Sequence, residues 1–190
     1  MQSAIILDTP TRWKDYELLD CGDFEKLERF GEFITIRPEP QAVWPKILTE
    51  GEWKSKAHVR FVQKTSNSGE WQRIKKMPDQ WRMKYTLNNN EDIVFRLGLT
   101  AFKHVGIFPE QASNWDYIVD SIGSMKTPKP RVLNLFAYTG GASLAAAAAG
   151  AAGPGCLGRR RVAGDQPPSG RAALLRGERR RRGERGSLRG

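Results

Sequence analysis

The stretch that most constrains this chain is residues 127–149. Thr127-Pro-Lys-Pro130 is a stiff link, because each proline fixes its own φ. Arg131-Val-Leu-Asn-Leu-Phe-Ala137 follows as an apolar run, closed by Tyr138-Thr-Gly-Gly141. From Ala142 to Ala149 almost every residue is a strong helix former. An apolar run between proline and glycine reads as a buried parallel strand. Strand, glycine turn and helix in that order open a βαβ unit. The pattern predicts a strand over 131–137 and a helix over 142–150.

Such a turn can carry chemistry. Glycine lets the backbone come close to a ligand lying across a strand's carboxyl end. The helix that follows points its first amides at the same place, which suits a carboxylate or phosphate. The spacing is neither G-x-G-x-x-G nor G-x-x-x-x-G-K-[ST], which disfavours a nicotinamide cofactor and a nucleoside triphosphate. From the residues alone, a tight turn with no ligand stays open beside a cofactor site.

The first ninety residues read as β-rich. Tyr16–Asp20, Phe33–Arg37, Glu70–Ile74, Gln80–Leu87 and Asp92–Leu97 are β-prone runs, with turn residues between the first two and at Asn88-Asn-Asn90. A helix is expected from Thr49 to about Phe61, with Thr49 as cap and Glu52 three residues on. A second helix is expected from Pro109 to about Ile122, where Ala112, Trp115, Ile118, Val119 and Ile122 recur at helical spacing. This gives a β-rich α+β N-terminal domain over 1–90, the start of an α/β Rossmann-like domain over 91–150, and a disordered Arg/Gly-rich tail over 151–190.

The net charge of +10 suggests nucleic acid until it is divided. Residues 1–150 carry 20 basic and 18 acidic side chains, while residues 151–190 carry 11 Arg and 3 acids. The basicity therefore belongs to the tail. No apolar run reaches the roughly 18 residues that would suggest a membrane span. His58 and His104 lack a second ligand at metal spacing, and Cys21 and Cys156 have no pairing pattern, so no metal is expected. Without a signal-peptide pattern at the N-terminus, a cytoplasmic location is expected.

Val132-Leu-Asn-Leu-Phe-Ala-Tyr-Thr-Gly-Gly141 resembles the first cofactor motif of class I S-adenosylmethionine-dependent methyltransferases, in the branch with bacterial large-subunit ribosomal-RNA methyltransferases. Lys103-His-Val-Gly-Ile-Phe-Pro-Glu-Gln111 resembles the segment just upstream in that branch. The likeness covers about residues 10–150. It implies S-adenosylmethionine as cofactor and a base of ribosomal RNA as methyl acceptor. It also implies site residues. Gly140 and Gly141 would admit the methionine end, Phe136, Ala137, Tyr138 and Thr139 would line the turn, and Phe108, Glu110 and Gln111 would close the other side. Phe108 and Phe136 could equally be core, Glu110 a first-turn acid favoured by the helix dipole, and His104 structural. The Trp residues read mostly as core. Catalytic residues are not assigned.

The tail departs from that family. About twenty residues past the glycine turn an apolar strand should end in an acid for the ribose hydroxyls, but the sequence there is Leu157-Gly-Arg-Arg-Arg161. The tail has no Lys and no aromatic residue, whereas residues 1–150 use 12 Lys and 8 Arg. Cys156-Leu-Gly-Arg-Arg160 read one nucleotide over can spell Ala-Leu-Val-Asp. The expectation is a chain truncated and frameshifted after about residue 151, itself inactive, whose parent is the enzyme. An RNA-binding module with a basic arm and a non-functional gene fragment are the alternatives.

Overall fold

A computed structural model describes residues 9–65, 68–135 and 137–152. Five strands form the first sheet in the order β1 (Tyr16–Gly22), β2 (Glu25–Phe30), β3 (Phe33–Pro38), β4 (Val59–Gln63) and β5 (Gly69–Arg73). Neighbours are antiparallel except β3 and β4, which run parallel because helix α1 (Glu50–Lys56) crosses between them. The β1–β2 turn puts Asp23 and Phe24 at φ 48° and 63°. Two positive φ values give a two-residue turn the twist that an antiparallel pair needs. A loop braces this costly geometry: Asp23 N–H donates to Trp44 O at 2.7 Å and Phe24 N–H to Ala42 O at 2.8 Å.

Helix α1 starts at the expected capping box. Thr49 Oγ1 accepts from Glu52 N–H, and the Glu52 carboxylate accepts from Thr49 N–H at 2.8 Å. Its Trp53 and Ala57 pack on Leu27 and Ile36 at one face of the sheet. Trp53 Nε1 donates to Asp20 Oδ2 at 2.8 Å, and Leu48 N–H donates to the same oxygen at 2.9 Å.

Strands β6 (Gln80–Thr86) and β7 (Asp92–Gly98) form a hairpin over the opposite face. Alternate residues point inward, as their sequence patterns predict: Trp81, Met83 and Tyr85 on one strand, Ile93, Phe95 and Leu97 on the other. They join Phe30 and Val59 of the first sheet in one core with Trp115 and Val119 of helix α2 (Ala112–Gly123) and Ala145 of helix α3 (Gly141–Ala148). The division expected at residue 90 runs through the turn of this hairpin.

The β-rich N-terminal region followed by helices is as expected, with three differences. Helix α1 stops at Lys56, short of the expected Phe61. His58 N–H donates to Ile34 O at 2.7 Å, which starts β4, and Val59 and Phe61 then alternate into the core. Strand β2 was not anticipated, because its inward-facing positions include a charged residue, Glu28. The strand expected over 131–137 is reduced to one parallel bridge, Arg131 with Ala152. A strand is held by its neighbours, and Ala152 is the only partner here among the described residues. Leu133 and Leu135 are 77% and 75% exposed. The parallel sense, with α3 between, still marks the start of a βαβ unit. The tail from 153 onward, with its expected disorder, lies outside the described residues. Among those residues, no helix is long and apolar enough to cross a membrane.

Candidate functional site

After β7 the chain folds back on itself. Gly98 N–H donates to Val105 O at 2.9 Å, and Val105 and Ile107 are buried. Two buried residues thus anchor the segment that carries Phe108. Pro109 then starts a 3₁₀ turn, Pro109–Gln111, where its missing N–H costs nothing. Trp13 Nε1 donates to Pro109 O at 2.9 Å and pins the turn. Helix α2 follows, and Trp115 stacks on Phe95 with ring centroids 5.0 Å apart.

The two glycines at the start of α3 have separate jobs. Gly140 caps the helix at φ 93°, a conformation that L side chains resist. Gly141 lies against Trp115, where an added Cβ would meet Trp115 Cζ2 at 2.8 Å. The first glycine permits the turn and the second lets the helix start sit on the core. Among the described residues, chain neighbours aside, nothing lies within 4 Å of where a Gly140 Cβ would stand, so that side of the turn is open to a ligand. Tyr138, at φ 44°, carries the chain into the turn. Asn134 Nδ2 donates to Ser143 Oγ at 3.0 Å, tying the preceding segment to α3.

The two motif segments meet. A cavity of about 340 Å³ is lined by Phe108 and Gln111 on one side and Ala137, Tyr138, Thr139 and Gly141 on the other, with Trp115 and Asn134 also on its wall. The Phe108 and Tyr138 ring centroids are 4.8 Å apart. Burial keeps the Tyr138 phenol above its ordinary pKa, partly countered by the charge of Arg37. The size falls in the range of about 300–1,000 Å³ usual for small-molecule sites. Phe108, Gln111, Ala137, Tyr138, Thr139 and Gly141 are therefore brought together as the motifs suggested, with Gly140 beside them as the helix cap. Phe136 lies outside the described residues.

Glu110 is placed elsewhere. It lines a neighbouring cavity of about 120 Å³ with Lys26, Arg37, Lys103 and His104. Phe108, the extended residue just before the 3₁₀ turn, stands between the two cavities and lines both, whereas Gln111 lines only the first and Glu110 only the second. Asn134 and Trp115 were missed as site residues. Trp115 was legible only as a core position of α2.

Behind Phe108 sits a buried ion pair. Arg37 donates from Nε and Nη2 to Glu28 Oε2 at 2.8 and 2.6 Å, and Tyr16 OH donates to Glu28 Oε1 at 2.9 Å. Burial, then the charge and hydrogen bond of Glu28, push the Tyr16 phenol well above its ordinary range. Arg37 Nη1 also donates to Lys103 O at 3.1 Å, which fixes the loop that leads to Phe108. Burial, then the cations Arg37, Lys103 and Lys26, lower the His104 pKa and favour the neutral imidazole.

The fold is that of part of a SAM-dependent methyltransferase. The chain is similar to the crystal structure of the SAM-dependent methyltransferase from Agrobacterium tumefaciens, at 35% identity and a TM-score of 0.69, over 80% of this chain and 46% of that one. It thus spans about half of that structure's length. Weaker likenesses are to a Streptococcus mutans protein assigned as a SAM-dependent methyltransferase (19% identity, TM-score 0.49, over 75% of this chain and 38% of that one) and to a protein assigned as a methyltransferase and complexed with SAH (18%, 0.48, 74% and 37%). No protein-family model and no curated protein matches the chain.

Proposed function

We propose that these residues form one wall of an S-adenosylmethionine site, and that the intact parent enzyme transfers the cofactor's methyl group to a base of ribosomal RNA. The observation that carries the cofactor assignment is the meeting of Ile107, Phe108 and Gln111 with Ala137, Tyr138, Thr139, Gly141 and Ala142 on one cavity at the start of α3. The residues present suit the group. The turn is open at Gly140, the first amides of α3 stand beside the cavity where a carboxylate could bind, and the Phe108 and Tyr138 rings offer apolar surface. When bound, the cofactor supplies an electrophilic methyl on a sulfonium. This chain's residues would orient it, through Gln111 and the turn 137–141, and shield it with the two rings. No carboxylate lines the cavity among the described residues, so the hydrogen bonds a ribose diol would seek are not supplied here.

The RNA acceptor rests on the motif resemblance to ribosomal-RNA methyltransferases, and a cytoplasmic location accords with it. Titration calorimetry with S-adenosylhomocysteine tests the cofactor site. Binding that is weakened by Phe108→Ala and by Gly140→Val supports it; an isotherm unchanged by both removes it. Transfer of labelled methyl to ribosomal RNA, against none to free amino acids, tests the acceptor.

A further inference from the structure

A second cavity of about 340 Å³ adjoins the first and shares Tyr138 and Thr139 with it. Resting on the first cavity as the cofactor site, we propose that this second cavity is the acceptor subsite. It takes a flat heteroaromatic ring that carries no positive charge, with Phe102 as the stacking face.

Position is the first reason. A ligand here and a ligand in the cofactor cavity would touch the same two residues, so an acceptor ring would lie next to the transferable methyl. A bound cofactor would supply an electrophilic methyl there: the acceptor atom's electron pair would form the new bond to carbon, the carbon–sulfur pair would go to sulfur, and the acceptor's proton would leave to water.

The lining gives the chemical class. Phe102, His104 and Tyr138 bring three ring systems to one cavity. Phe102 is 58% exposed, so its ring is open to a ligand in the cavity. Every nucleobase has a π face that such a ring can stack on. Among the described residues no Asp or Glu lines the cavity and Arg96 does, so nothing there would pair with a cationic amine acceptor. Gln80 stands at the rim, and a primary amide offers a donor and an acceptor side by side, matching the edge of a heteroaromatic ring.

The ring could come from an unpaired nucleotide in a strand or from a free nucleoside. Beyond Phe102 and His104 a third cavity of about 520 Å³ continues the groove past Lys103 to Phe61 and Gln63 of β4. That room for a neighbouring nucleotide favours a strand.

The test uses the full 190-residue chain. A single-stranded RNA oligonucleotide carrying one 2-aminopurine, and free 2-aminopurine riboside, are titrated while S-adenosylhomocysteine affinity is measured in parallel. Expected is fluorescence quenching by the oligonucleotide, an affinity about tenfold weaker in Phe102→Ala, recovery in Phe102→Tyr, and unchanged S-adenosylhomocysteine affinity throughout. Equal, Phe102-dependent binding of the riboside would support the subsite and make the nucleoside the source. Quenching and affinity unchanged in Phe102→Ala, or no binding of either probe, would overturn it. If the Phe102 dependence holds while S-adenosylhomocysteine does not bind, the ring site stands and the cofactor assignment falls.

Discussion

Replacing Glu28 by alanine should cost more than any other single change on the first sheet. Glu28 is 1% exposed and Arg37 is 4% exposed. The substitution removes both guanidinium bonds and the acceptor of Tyr16 OH. Arg37 is left with one bond to Lys103 O and the face of Phe30, 5.1 Å away. Breaking one partner out of a buried pair costs about 3–5 kcal/mol, because the remaining charge stays desolvated. That is about a fifth or more of the roughly 5–15 kcal/mol a domain commonly has.

Urea denaturation followed by tryptophan fluorescence measures the effect. The double variant Glu28→Leu with Arg37→Met removes both charges and should be more stable than Glu28→Ala alone. Because Arg37 also holds Lys103, Glu28→Ala should weaken ligand binding at Phe108 even under conditions where the chain is folded. A loss below about 1 kcal/mol, or a double variant less stable than the single one, would refute the account of the pair as a buried charge held by its partner.

The glycines of the turn should separate in thermal melts. Gly141→Ala forces Trp115 or α3 to move and should destabilise by about 1–3 kcal/mol, less up to about 1 kcal/mol of helix preference regained, with a changed near-ultraviolet signal from Trp115. Gly140→Ala should cost about 1–2 kcal/mol from backbone strain alone, with that signal intact. Asp20, 6% exposed, is opposed by burial but held below its ordinary pKa by hydrogen bonds from Leu48, Trp53, Ile47 and Cys21. Its contribution is therefore complete above the unfolded value of about 3.9 and is lost as pH falls through the lower folded value. Asp20→Asn should flatten that acid limb of stability against pH, and an unchanged limb would contradict it. Leu133→Lys and Leu135→Glu should each change stability by less than about 0.5 kcal/mol; a larger loss in denaturation would show that these side chains are packed.

What could be read from the sequence divides by the distance over which each element is decided. The β6–β7 hairpin was legible because Trp81, Met83 and Tyr85 alternate with polar residues and a three-asparagine turn follows, all within one local stretch. The start of α1 was legible for the same reason, from Thr49 and Glu52. Its end was not, because His58 leaves the helix to pair with Ile34, far back along the chain. Strand β2 was hidden because Glu28 is acceptable inside only once Arg37 of β3 lies beside it, a pairing no local pattern shows. The run 131–137 failed in the opposite sense. Its apolar pattern says what the segment would bury, but a strand also needs neighbours, and the only bridge described is to Ala152. The site follows the same rule on a smaller scale. Phe108, Glu110 and Gln111 are adjacent in sequence and were read as one wall. Gln111 lines the cavity at the turn 137–141, Glu110 joins Lys26, Arg37 and Lys103 on the next cavity, and Phe108, extended ahead of the 3₁₀ turn, lines both. A motif picks out neighbouring residues, and the backbone that carries them decides which cavity each one lines.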